Sequence, residues 1–203
     1  SSVESRRLER VYTVADLRAA LAVQRLRARI VLVPTMGNLH EGHLRLVREA
    51  RRAGDFVVVS LFVNPLQFSV GEDFDSYPRT LDQDAAALEN AGADLLFAPS
   101  VKEMYPSGES STRIQVGDIG EVLCGQHREG HFNGMATVVT MLFNQVRPDV
   151  AVFGEKDYQQ FRVIEKMTAE LGLDIRIVGV PIVRAATGLA LSSRNNYLSD
   201  PQI

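Results

Sequence analysis

In VPTMGNLHEGHLRLV, residues 33 to 47, an apolar run meets a glycine turn and then two of the chain's 4 histidines, His40 and His43. If Glu41-Gly42 begins a helix, imidazoles three positions apart point to nearly the same side and share one target. The free N–H groups and positive dipole end of such a helix favour an anion, and Met36-Gly37 permits close approach of backbone to ligand. A phosphate fits. Imidazoles there donate hydrogen bonds to its oxygens and stabilise charge that builds up during in-line attack at phosphorus, or one of them acts as a general acid. The same spacing also suits two partly exposed helix-start residues without function. Zinc is disfavoured, because neither an HExxH motif nor a cysteine cluster is present.

Three further stretches carry polar residues directly after apolar runs. FVNPLQF, residues 62 to 68, ends in Asn64-Pro65, where proline sets a turn, and Gln67 follows with an amide that both donates and accepts. FGEKDYQQ, residues 153 to 160, offers Lys156 as a point charge for phosphate, while Asp157 and Gln160 have the spacing of a helix capping box. VPIVRAATGLALSSRNNYL, residues 180 to 198, places Ser192, Ser193 and Arg194 together, two hydroxyls and a forked cation suited to a triphosphate. Each has a plainer reading as a surface loop, a cap or a polar turn.

The elements that must position these residues follow from hydrophobic periodicity. Thr13 caps a helix to about Leu26; a strand covers Ile30–Val33, a helix about Gly42 to Ala53, and a strand Phe56–Val63. Thr80 and Gln83 have capping-box spacing and open a helix to about Asn90 that stops at Gly92, followed by a short strand at Leu95–Ala98. A helix from about Asn133 to Gln145, a strand Val150–Phe153, a helix Tyr158–Leu171 and a strand Ile175–Val180 complete the series. This alternation predicts an α/β fold with a doubly wound, mainly parallel sheet, Rossmann-like, whose ligands bind beyond the carboxyl ends of the strands. All four polar segments fall there.

With 203 residues, 45% of them hydrophobic, the chain is long enough for one domain with a substantial core. A net charge of −3 gives no general electrostatic attraction to nucleic acid or an anionic membrane, so any anion must be bound locally. The single cysteine, Cys124, cannot form an internal disulfide, and no apolar run reaches the length of a membrane span. These features lead to the expectation of a cytoplasmic protein.

His40-Glu41-Gly42-His43 resembles the HxGH signature of the nucleotidyltransferase superfamily, and PTMGNLHEGH resembles more specifically the pantoate–β-alanine ligases. The resemblance runs from about Val33 to Leu198 with its segments in the family's order. It implies an ATP-dependent ligase that condenses pantoate with β-alanine through a pantoyl adenylate, with His43, His40 and Lys156 catalytic. It also implies ATP contacts from Met36, Gly37, Asn38, Leu39, His40, Glu41, Gly42, His43, Gly154, Glu155, Lys156, Asp157, Val183, Leu191, Ser192, Ser193 and Arg194. Gln67 and Gln160 are implied for pantoate, and Gln67, Asn64 and Arg128 for β-alanine. In the segment with Arg128 and His131, Glu129 departs from the proline common in the family. Mg2+ is expected with ATP, its ligands unassigned, with Asp82 and Asp84 as indirect supports.

A homodimer is implied in the same way. Family members continue into a smaller C-terminal domain, and Ser199-Asp200-Pro201 looks like a helix start with almost no helix after it. The expected organisation is therefore an ATP- and pantoate-binding domain over 1–198, with 199–203 the start of a C-terminal domain absent from this chain. Two other readings stay open: another HxGH nucleotidyltransferase, or a shortened nucleotide-binding domain without turnover.

Overall fold

The computed structural model describes residues 7–68, 73–108, 112–117 and 129–181. Among them, six parallel strands form one sheet: β1 (Glu9–Val11), β2 (Ile30–Thr35), β3 (Phe56–Leu61), β4 (Leu95–Phe97), β5 (Val150–Gly154) and β6 (Arg176–Val180). Their spatial order is β1-β4-β3-β2-β5-β6. Six helices accompany them: α1 (Val14–Arg25), α2 (Glu41–Ala53), α3 (Leu81–Ala91), α4 (Val101–Met104), α5 (Glu129–Val146) and α6 (Tyr158–Glu170). The α/β doubly wound fold expected from the periodicity is present.

The central strands read as unbroken apolar runs because both of their faces are covered. Along β2, Ile30 and Leu32 point into one core layer, shared with Leu17 and Leu21 of α1, Phe143 of α5 and Ile164 of α6. Val31 and Val33 point into the opposite layer, with Val47 and Ala50 of α2 and Leu88 of α3. α2 is also tied to the sheet by Arg51, whose guanidinium lies 2.6 Å from the buried carboxylate of Asp94, which in turn accepts the Val57 N–H at 2.8 Å.

Several boundaries differ from the sequence expectation for identifiable reasons. Strand β1 and helix α4 are additional; β1 has three residues, two of them exposed and polar, and carries no apolar run to detect. Helix α5 starts at Glu129 rather than near Asn133, its first turns hidden by Gly130 and Gly134, which are weak helix formers. The Thr80–Gln83 capping box does not form: Thr80 makes no side-chain cap, and its hydroxyl instead donates to Asp84 Oδ2 at 3.0 Å. Thr13 does cap α1, accepting from the Asp16 N–H at 3.1 Å, and Gly92 closes α3 at φ +98°.

The strand order contains one reversal that matters for function. From β2 the chain proceeds outward through β3 to β4, then returns to place β5 on the other side of β2. The carboxyl ends of β2 and β5 therefore diverge into segments that leave in opposite directions, opening a crevice between them.

Candidate active site

A cavity of about 270 Å3 occupies that crevice. The segment after β2 contributes Met36, Gly37, His40, Gly42 and His43; the segment after β5 contributes Glu155, Lys156 and Asp157, with Gly154 at the strand end. Gln67 enters from a 3-10 turn at Pro65–Gln67, and Gln160 from the first turn of α6. Helix α5 supplies an apolar wall through Met135, Val138, Val139 and Leu142.

The two histidines face one cavity, as their spacing predicts, but the helix end is not a set of free N–H groups. His40 is the N-cap of α2, and its Nδ1 accepts the Gly42 N–H at 3.0 Å. His43 Nδ1 accepts the His40 N–H at 3.2 Å, and the His43 and Leu44 N–H groups bond to the His40 carbonyl. The imidazoles thus form a reciprocal capping box, with ring centroids 4.2 Å apart. An Nδ1 that accepts an N–H is unprotonated, so each neutral ring carries its proton on Nε2. His40 Nε2 is buried without a hydrogen-bond partner among the described residues.

Burial, reinforced by the positive charge of Lys156 and opposed by Glu41, lowers the pKa of His40 from its ordinary value. A second proton would have to enter at Nδ1 and break the cap. The geometry therefore makes His40 a neutral Nε2–H donor, which is the hydrogen-bonding one of the two roles that the spacing left open for an imidazole here.

The loop before His40 is also committed internally. Gly37 and Asn38 both have positive φ, +83° and +52°, and the turn they make brings the Asn38 and Leu39 N–H groups to one anion. The anion is Asp84: Oδ2 accepts from Asn38 N at 2.9 Å and Oδ1 from Leu39 N at 3.0 Å. These two amides are occupied by protein, so Asn38 and Leu39 hold the loop rather than present their N–H groups to a ligand, and neither residue lines the cavity. A Cβ on Gly37 would sit 3.1 Å from Leu61 and 3.3 Å from Asp84, so glycine allows the loop to close onto the carboxylate.

Other expected residues divide similarly. Asp157 caps α6 by accepting the Gln160 N–H at 3.2 Å and still lines the cavity. Glu41 turns outward to pair with Arg48. Asp82 is exposed and pairs with Arg10 at 2.9 Å, outside the cavity lining. Asn64, expected at the β-alanine site, is buried and does not line the cavity. His131 Nδ1 lies 3.0 Å from the Gln67 carbonyl. Arg128, Val183, Leu191, Ser192, Ser193 and Arg194 lie outside the described residues.

Beyond the apolar wall, Arg45 and Tyr77 are among the lining residues that were not anticipated. Arg45, one turn into α2, lines the cavity and reaches the Pro181 carbonyl at 3.4 Å. Tyr77 enters from the 73–79 loop, which Arg79 gathers through bonds to the Phe74, Asp75 and Tyr77 carbonyls. Arg45 was detectable as a cation close behind His43; nothing local marks Tyr77.

The pantoate-beta-alanine ligase family model matches residues 9–203. The chain belongs to this family. Within it, a pantothenate synthetase of Psychrobacter arcticus is 60% identical over 189 residues, covering 93% of this chain and 66% of that relative. One from Pseudomonas fluorescens is 59% identical over 194 residues, covering 95% and 68%. The chain spans about two thirds of the length of these curated relatives. The crystal structure of the Thermus thermophilus pantothenate synthetase superposes with a TM-score of 0.84 at 55% identity, over 95% of this chain and 68% of that one. That of the Francisella tularensis pantoate-beta-alanine ligase, complexed with beta-gamma ATP and beta-alanine, gives 0.87 at 38% identity, over 95% and 74%. The ligase-family fold is therefore the framework on which this cavity is built.

Proposed function

We propose that the cavity activates pantoate with ATP and joins it to β-alanine. The pantoate carboxylate attacks the α-phosphorus of ATP, giving pantoyl adenylate and expelling pyrophosphate. The β-alanine amine then attacks the acyl carbon, loses a proton and expels AMP, leaving pantothenate. A carboxylate oxygen becomes a good leaving group only when phosphorylated or adenylylated, and this chemistry needs positioning and charge stabilisation more than a side-chain nucleophile.

The observation that carries the reading is the buried Nε2 of His40, without a hydrogen-bond partner among the described residues, in a cavity shared with His43, Lys156, Gln67 and Gln160. His40 and His43 donate Nε2–H to phosphate oxygens while Lys156 and Arg45 add positive charge. Gln67 and Gln160 hold pantoate, whose two methyl groups suit the apolar wall from α5. Ser192, Ser193 and Arg194 complete the phosphate contacts, Val183 and Leu191 the nucleotide contacts, and Arg128 serves β-alanine, all by family resemblance. The assignment of residues 1–198 as the ATP- and pantoate-binding domain, the homodimer and the cytoplasmic location belong to the same reading.

Magnesium fits as a companion of the substrate phosphates. Among the described residues no group of three or more His, Cys, Asp or Glu side chains forms a metal cage, and Asp84 is engaged by backbone amides. Glu155 and Asp157 bring carboxylates to the cavity and would hold such an ion, which supplies neutralisation of phosphate charge.

Pantoate-dependent exchange between ATP and labelled pyrophosphate, followed by AMP release on adding β-alanine, tests the proposal. Exchange without pantoate would instead place the chain with another nucleotidyltransferase activity. Nucleotide binding without exchange would make this a binding domain only.

A further inference from the structure

Asn64 and Tyr105 sit behind the cavity wall, and their hydrogen bonds dictate which end of the Gln67 amide meets a ligand. Asn64 Oδ1 accepts from the Leu66 N–H at 3.2 Å and from the Tyr105 hydroxyl at 2.7 Å. Asn64 Nδ2 donates to the Gly134 carbonyl at 3.0 Å and to Gln67 Oε1 at 3.1 Å. The Leu66 N–H can only donate and the Gly134 carbonyl can only accept, so the sense of the Asn64 amide is unambiguous. Both its protons and both its lone pairs are used. Gln67 therefore turns its carbonyl toward Asn64 and is left with two N–H donors for the cavity that it lines.

We propose that Tyr105 is a positioning residue which acts through Asn64 to hold Gln67 as a hydrogen-bond donor toward an oxygen-rich, anionic substrate. This rests on the reading of Gln67 as a pantoate contact and extends it: the chain specifies the polarity of that contact from a residue that does not line the cavity. The Tyr105 phenol is well suited to the task. Burial pushes its pKa up to about 12, so it stays protonated and donates throughout the physiological range. Its ring packs against Phe62 with centroids 6.0 Å apart, which anchors the hydroxyl's origin.

Calorimetric titration of pantoate, with a non-hydrolysable ATP analogue titrated in parallel, tests the relay. Tyr105→Phe keeps the ring packing and is expected to weaken pantoate about five-fold, the effect of one neutral hydrogen bond, with the ATP analogue unchanged. On a Gln67→Ala background the same substitution is expected to have no further effect on pantoate. Gln67→Glu keeps an oxygen for Asn64 but faces the cavity with an acceptor, and is expected to weaken pantoate more than Gln67→Ala does. Equal weakening of both ligands by Tyr105→Phe, an undiminished effect on the Gln67→Ala background, or full pantoate affinity in Gln67→Glu would each overturn the relay. Unchanged pantoate affinity in Gln67→Ala would instead remove the pantoate assignment on which it stands.

Discussion

Asp84 and Asn38, 46 positions apart, meet through a 2.9 Å hydrogen bond from the Asn38 backbone N–H to the Asp84 carboxylate, in a pocket where Asp84 is 4% exposed. The same carboxylate takes the Leu39 N–H and the Thr80 hydroxyl, so α3 holds the loop that delivers His40. Asp84→Asn retains one carbonyl oxygen but sets an NH2 group against donors. A destabilisation of about 1–3 kcal/mol is expected in chemical denaturation. Faster hydrogen exchange at the Asn38 and Leu39 amides should accompany it, and an exchange rate unchanged at both would show that the clamp is dispensable.

His40 combines a structural hydrogen bond at Nδ1 with a proposed donor role at Nε2, and the two can be separated. Asparagine is a strong N-cap and presents an oxygen near the Nδ1 position, but has nothing at Nε2. His40→Asn should therefore melt within about 1 kcal/mol of the wild type while ATP–pyrophosphate exchange falls about 100-fold, the usual scale for removing one donor to developing charge. Parallel loss of stability and exchange in this variant would identify His40 as a capping residue alone.

Some of this was open to inspection in the sequence. β2, β3 and β5 announce themselves because burial on both faces demands uninterrupted apolar residues, while the edge strand β6, exposed at Arg176 and half-buried through Gly179, is legible from its β-branched residues; the positions of the polar segments after the strands follow from the parallel topology. His40 and His43 are legible from spacing, as is the Asp157 cap. The reciprocal imidazole bonds are not, since a histidine at an N-cap looks the same whether its Nδ1 accepts or donates. Nor is the role of Asp84, whose partners are backbone amides on a distant loop and leave no trace in side-chain pattern. The Tyr105–Asn64–Gln67 chain is hidden by distance instead: its side chains bond to one another, but 41 positions separate the first two members.

The depressed pKa of His40 fixes the sign of a pH effect. Between its folded pKa and the ordinary value of 6.5, the unfolded chain binds the proton that the folded chain refuses. His40 therefore contributes stability that is present above pH 6.5 and is lost as pH falls through the folded pKa. NMR titration of the His40 ring should give a midpoint below 6.5, with the Nε2-protonated tautomer above it. A midpoint at or above that value, or a neutral ring protonated on Nδ1, would contradict the capping geometry.

Gly134 is where α5 meets the turn that carries Gln67. A Cβ at this position would lie 2.3 Å from the Leu66 carbonyl oxygen and 2.6 Å from its carbon, a collision with backbone that no rotamer change relieves. Gly134→Ala must therefore push the Pro65–Gln67 turn away from the helix, stretching the Asn64 to Gly134 bond and displacing the Gln67 amide. Alanine's better helix propensity, worth about 1 kcal/mol, works in the opposite direction. The overpacking cost of about 1–3 kcal/mol is expected to win, giving a net loss of stability. The local character of the shift gives a sharper signature than stability does: pantoate affinity should fall while ATP affinity, assigned in the proposed site to the segments after β2 and β5, is kept. Unaltered pantoate binding in Gly134→Ala would show that the turn can move without moving the amide.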